Sequence, residues 1–235
     1  MAITSSHAAF SRAFDAEPLA WKNPITKMQT HTYGVISFDE ALDNKRYSYQ
    51  DMISLVSESQ KITASGKRSI NCMYVNPIVE TCWIYDYREI NQEETAAVKI
   101  ELVQKMLLEL AGDLTTPFST VLLKNWYAIE SIMLLVAKLG KAYWCPLRGN
   151  RLASEVSEGK RYTGVKDLKF SDLELIHGKL VNLKSFPKDH QVKLFRMIKE
   201  NGTIAHVVTN QLHQDCVDTD QFVGGVYWKA EHVFL

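Results

Sequence analysis

The sequence has no net charge: 27 Lys and Arg residues balance 27 Asp and Glu over 235 residues. No global electrostatic bias therefore announces a nucleic-acid partner. Cysteine is sparse as well. Cys72, Cys82, Cys145 and Cys216 are scattered, mostly in apolar runs, and none has the Cys-x-x-Cys or Cys/His spacing of a zinc site. They read as buried free thiols in a reducing cytoplasm. The opening Met1-Ala2-Ile3-Thr4-Ser5-Ser6-His7 lacks a basic segment followed by an apolar one, so it does not read as a secretory signal. Long apolar runs are missing too. The longest, residues 129–139, is broken by Glu130, Ser131 and Lys138 and is too short to span a bilayer. There is no internal repeat and no low-complexity tract. The expectation is a soluble cytoplasmic protein, not a membrane one.

What is present is enough chain to bury a sizeable core, as one large domain or one domain with an insertion. Residues 1–31 read as a short arm, because Pro18 and Pro24 stop any long helix there. Thr32-Tyr33-Gly34-Val35-Ile36-Ser37-Phe38 is β-branched and aromatic, and it delivers Asp39 and Glu40 at its end. The pleat sends Glu40 to the opposite face from Asp39. Residues 68–76 and 81–90 read as two more strands joined by a hairpin, with Trp83, Tyr85 and Tyr87 on one face by alternation. Residues 94–111 repeat apolar side chains at three- and four-residue steps (Val98, Leu102, Val103, Met106, Leu107, Leu110), which predicts a helix closing at Gly112.

A strand over residues 119–123, a helix over 128–139 ending at Gly140, and a strand over 141–147 follow. Three antiparallel strands, a crossover helix, a strand, a helix and a strand is the element order of a ribonuclease-H-like α/β core, though other α/β folds share it. Strand-like runs at 161–165, 178–186, 191–198 and 203–209, separated by turn sequences, predict a β-rich insertion at about 150–215. A last helix is predicted from Asp218 and Thr219 onward. Charge is uneven: between residues 141 and 199 basic side chains outnumber acidic ones roughly two to one. That asymmetry suits either a phosphate-facing surface or a solvated lysine-rich one.

Five stretches together carry a resemblance. They are Phe38-Asp39-Glu40-Ala41-Leu42-Asp43, Cys82-Trp83-Ile84-Tyr85-Asp86-Tyr87-Arg88, and Trp126-Tyr127-Ala128 with residues 141–152. Phe186-Pro187-Lys188-Asp189-His190-Gln191-Val192-Lys193-Leu194-Phe195-Arg196 and Trp228-Lys229-Ala230-Glu231 complete the set. In this order the chain resembles the DDE transposases of bacterial insertion sequences, in the branch with a β-strand insertion. The resemblance implies a domain over residues 32–235 that cleaves and transfers DNA strands with two magnesium ions held by three carboxylates. It places the first carboxylate at Asp39 and the third at Glu231, both as metal ligands. The second position holds Lys124, which donates hydrogen bonds and cannot ligate a metal. Lys124 is expected to repel the ion or to pair with Asp39 and Glu231.

The resemblance thus implies a truncated and catalytically defective copy. It offers Arg148, Arg151, Lys188, Lys193 and Arg196 as phosphate contacts to DNA, with homo-oligomers or mixed oligomers with an intact transposase as partners. Two other readings stay open. One is a DNA- or partner-binding remnant that inhibits the intact enzyme. The other is an unrelated metal-dependent nuclease using Asp39, Asp86 and Glu231. Trp83, Trp126, Trp144 and Trp228 are read as core residues, and His190 and His206 as structural.

Overall fold

The computed structural model describes residues 34–43, 67–76, 81–91, 94–124, 126–155, 161–198 and 202–214. Its strands are β1 (Val35–Asp43), β2 (Lys67–Asn76), β3 (Thr81–Ile90), β4 (Thr120–Leu122), β5 (Ala142–Leu147), β6 (Leu152–Glu155), β7 (Thr163–Gly164), β8 (Lys179–Leu183), β9 (Gln191–Ile198) and β10 (Ile204–Thr209). Helix α1 (Ala96–Gly112) connects β3 to β4, α2 (Glu130–Lys138) connects β4 to β5, and the short α3 (Asp172–His177) precedes β8. All ten strands form one mixed sheet in the order β3-β2-β1-β4-β5-β10-β9-β8-β6-β7. β1 runs antiparallel to β2 and parallel to β4, and β4 is parallel to β5. The two parallel pairs require two crossovers; α1 lies on the one that returns to β4, and α2 forms the one from β4 to β5. The predicted segment after β5 holds five strands that continue the same sheet through the antiparallel β5–β10 pair.

The two helices cover one face. α1 buries Val103, Met106, Leu107 and Leu110, and α2 buries Ile132, Met133 and Val136. Beneath them lie Ile36 and Phe38 of β1, Val121 of β4, and Tyr143 and Cys145 of β5. Burying each such side chain contributes roughly 1.5–3 kcal/mol, which holds the helices to the sheet. Alternation sends Val35, Leu122, Trp144, Phe195 and Val207 to a second, smaller cluster on the other face. Val98, expected on the packed stripe, is 37% exposed, because it lies well round the helix from the face that carries Val103, Met106, Leu107 and Leu110.

The sequence signals at the helix end hold. Gly140 has a φ of 69°, its N–H bonds the Ala137 carbonyl, and the Lys141 N–H reaches Val136 O, which is a Schellman ending for α2. Other details differ. The strand expected over residues 161–165 shrinks to Thr163–Gly164, because Val165–Asp167 turns into a 3-10 helix. The run expected to 186 stops at Leu183, and Ser185 turns with a φ of 81°. α3 was not anticipated; its Ser171 and Glu174 form a reciprocal capping box. Strict alternation in β3 also fails. Cys72 faces Asp86 while Met73 faces Ile84, so Tyr85 is an extra residue in a bulge. Tyr85 packs toward α1 and bonds Asp113 Oδ2 at 2.8 Å, whereas Tyr87 stands opposite Asn71, on the other face. The predicted arm at 1–31 and the final helix from Asp218 lie outside the described residues.

Candidate functional site

Parallel pairing sets β4 beside Val35–Ser37, and the charged side chains follow just beyond it. β1 runs on to Asp43, so Asp39 and Glu40 lie in mid-strand and not at the strand end expected from the sequence, because pairing with β2 continues past them. Asp39 and Glu40 are neighbours on β1 and diverge to opposite faces, as the pleat dictates. On the face of the smaller cluster, Lys124 Nζ lies 2.9 Å from Asp39 Oδ2. Asp39 Oδ1 accepts the Glu40 backbone N–H at 3.0 Å. Both carboxylate oxygens of Asp39 are therefore engaged. On the helix-covered face, Lys99 Nζ lies 2.7 Å from Glu40 Oε2, and Tyr127 Oη donates to Glu40 Oε1 at 3.2 Å. The Tyr127 ring packs edge-on against Phe38 at 6.5 Å. Burial, with the nearby Glu40 charge, pushes the Tyr127 phenol well above its ordinary pKa.

Lys99 also sits 5.5 Å from the centre of the Trp126 ring. Trp126 is half exposed, which corrects its reading as a core residue; its ring faces the Lys99 ammonium at the protein surface. Trp144 is buried as expected, stacked 5.9 Å from Phe195. The side chains of Trp83 and Trp228 lie outside the described residues.

Glu231, the expected third carboxylate, also lies outside them. Among the described residues, no three His, Cys, Asp or Glu side chains are placed to hold a metal ion. Asp86 does not join Asp39. It is paired in register with Cys72, while Asp39 is paired with Asn71, so the two acids stand on opposite faces of the sheet. Asp86 instead forms an ion pair with Arg88 at 2.8 Å.

The five basic residues offered as DNA contacts do not form one face. Arg148 and Lys188 are exposed in turns, and Arg151 is half-buried at the turn before β6. Lys193 and Arg196 alternate to opposite sides of β9. Lys193 Nζ bonds the Gln214 carbonyl at 2.6 Å, and Arg196 lines a cavity. Among the described thiols, Cys72 and Cys145 are buried and free, and burial raises both. His190 Nε2 meets Tyr143 Oη at 2.9 Å, and its ring stacks on Tyr143 and lies tilted against Phe186.

No protein-family model and no curated protein matches this sequence. Among solved structures, the chain is similar to a piggyBac transposase synaptic complex with hairpin DNA, with a TM-score of 0.40 and 11% identity over 83% of this chain and 39% of that one. It thus spans well under two thirds of that transposase. It is similar to endonuclease V of Bacillus subtilis, with a TM-score of 0.35 and 10% identity over 81% of this chain and 73% of that one. It also matches endonuclease V of Ciona intestinalis in complex with a 24mer DNA containing an inosine followed by a ribo-adenosine. There the TM-score is 0.40 and the identity 9%, over 92% of this chain and 95% of that one. These weak neighbours are transposase and nuclease folds. The likeness is too coarse to transfer any residue role.

Sequence reasoning did not anticipate Lys99. A signal was available: Lys99 lies four residues before Val103 and seven before Met106, on the stripe that packs against the sheet. A cation on that stripe has to meet a partner there, and Glu40 is the one it meets. Among the described residues, no helix is long and apolar enough to cross a membrane.

Proposed function

We propose that this chain is a transposase-like DNA-recombination protein with a ribonuclease-H-like core, and that it does not cut DNA. The Asp39–Lys124 ion pair carries the reading. In a two-metal strand-transfer site the end of β4 would supply a carboxylate beside the one on β1. Here it supplies an ammonium. Support for the core comes from the strand order β3-β2-β1-β4-β5, with β1, β4 and β5 mutually parallel and joined through α1 and α2.

Magnesium is the ion the resemblance implies, and the residues present do not fit it. A hard cation needs several oxygen ligands. Asp39 has both oxygens occupied, one of them by a positive charge that opposes metal entry. Glu231 would complete the family set and remains the proposed third acid. The activity left to such a protein is binding: to insertion-sequence ends through Arg148, Arg151, Lys188, Lys193 and Arg196, or to an intact transposase in mixed oligomers.

Plasmid nicking with Mg²⁺ or Mn²⁺ tests the silent site, and salt-dependent binding of terminal-repeat DNA tests the binding role. The expected result is binding that weakens with salt and no nicking with either metal. Metal-dependent nicking by the wild-type chain that disappears in Asp39→Ala would sink the proposal.

A further inference from the structure

Arg196 stands in a setting that its isolated place in the sequence does not suggest. Strand register aligns Leu147 of β5, His206 of β10 and Arg196 of β9 in one row across three adjacent strands. Alternation puts the row on the helix-covered face, with Leu194 and Val208. The connection after β7 passes over this row and contributes Lys166, Leu168, Lys169 and Phe170. With Gly149 and Ile204 these side chains line a cavity of about 570 Å³.

The lining holds Arg196, two lysines and a histidine, and no carboxylate. Among the described residues no acid forms an ion pair with Arg196, Lys166 or Lys169. His206 is only 8% exposed. Burial and the Arg196 charge hold that imidazole below the usual histidine range, so near neutrality it presents a neutral ring nitrogen to the cavity. Phe170 is held from behind: Lys179 Nζ sits 5.6 Å from its ring centre and is tied to Glu155 and Glu174.

We infer that this cavity binds a phosphomonoester with a flat apolar body, of nucleoside-monophosphate size. Three unpaired cations match the charge of a phosphomonoester better than that of a single carboxylate. The Arg196 guanidinium can hold two of its oxygens at once, and the lysines can follow as mobile point charges. Leu147, Leu168, Phe170 and Ile204 supply the apolar wall. A volume of this size lies within the range of small-ligand pockets. A free nucleotide and the phosphorylated end of a nucleic-acid strand offer the same chemistry. The inference needs neither the metal nor the ancestry proposed above.

Calorimetric titration of the full chain with AMP, adenosine and a 5′-phosphorylated trinucleotide provides the test. AMP should bind saturably and adenosine at least about tenfold more weakly. Arg196→Ala should weaken AMP by about tenfold or more with an unchanged far-UV spectrum. The exposed pair Lys166→Ala/Lys169→Ala should weaken it in the same sense, which keeps the test decisive if Arg196→Ala fails to fold. Binding of the trinucleotide alone, lost in these variants, would make a strand end the source of the phosphate. Equal binding of AMP and adenosine, unchanged affinity in the variants, or no binding of either phosphorylated ligand would overturn the inference.

Discussion

Lys99 Nζ lies 2.7 Å from Glu40 Oε2 on the helix-covered side of β1, one residue along from the Asp39–Lys124 pair on the other side. Two adjacent acids are thereby neutralised by two lysines that the sheet keeps apart. A stretch of β1 that presents carboxylates in sequence presents closed ion pairs in space.

Lys124→Asp should convert this corner from self-neutralised to cation-seeking. In the presence of a chelator the variant should lose about 1 kcal/mol, because a partly exposed pair is replaced by like charges. Millimolar Mn²⁺ should restore that stability in the variant and leave the wild type unmoved. Urea midpoints with and without metal measure both effects. No metal-linked gain in the variant would mean that positions 39 and 124 do not form a metal site.

Lys99→Met removes a cation whose side chain is 12% exposed and leaves Glu40 with Tyr127 alone. The expected loss is about 1–2 kcal/mol. A double-mutant cycle with Glu40→Gln should recover much of it as coupling between the two residues. Additive losses would show that the pair contributes nothing of its own.

Alkaline pH should weaken the fold through three tyrosines. Burial raises Tyr85, Tyr127 and Tyr143, aided at Tyr85 by its bond to Asp113 and at Tyr127 by Glu40. Unfolded, each phenol ionises near pH 10. Above that value the unfolded chain binds fewer protons than the folded one. Stability is therefore full below about pH 10 and falls as pH rises further. Tyr127→Phe should flatten part of that fall in urea melts taken from pH 9 to 11.5 (roughly the span of tyrosine ionisation). An unchanged slope would contradict the burial of this phenol.

Acid acts through His190 and His206, which burial holds below the usual histidine range. Below the unfolded value of about 6.5 the unfolded chain takes up protons that the folded chain refuses. Their contribution is complete above that pH and is lost as pH falls through the folded values. Proton NMR titration of the two imidazoles should place both midpoints under 6.5. A midpoint at or above that value for His190 would mean that its contact with Tyr143 does not persist in solution.

Gly34→Ala tests the entry to β1. An added Cβ would meet Tyr74 Oη at 2.2 Å, and that hydroxyl donates to Pro117 O at 3.0 Å. The tyrosine cannot yield without losing its bond, so a loss of about 1–3 kcal/mol is expected. A thermal melt that matches wild type would show that Tyr74 has another place to go.

Much of the fold is legible because it rests on local periodicity. Leu102 to Leu110 repeat at helical spacing, and residues 191–198 carry the β9 pattern at full length. The failures arise where contacts between distant residues decide. No local pattern announces the Tyr85 bulge, since it follows from register with Cys72 and Met73 across the hairpin. Lys124 is legible as an anomaly through its motif, but its partner is chosen by the parallel alignment of β1 with β4. The basic cavity was not read at all, because Leu147, Arg196 and His206 are scattered in sequence and adjacent only in the sheet. Trp126 misled because an aromatic beside Tyr127 looks buried until the Lys99 ammonium facing its ring is known.

The β5–β10 seam has a consequence for the order in which the chain is made. β5 leaves the ribosome with one edge ready to pair, yet the strand that fills it, Ile204–Thr209, is the last of the ten to emerge. Until then Ala142–Leu147 presents open backbone groups to any passing strand, including those of sibling chains. Asn210 closes the gap, accepting from the Tyr143 amide and donating to the Lys141 carbonyl at 2.9 Å each. A chain that stalls before residue 204 is left with an adhesive edge in the middle of its intended sheet.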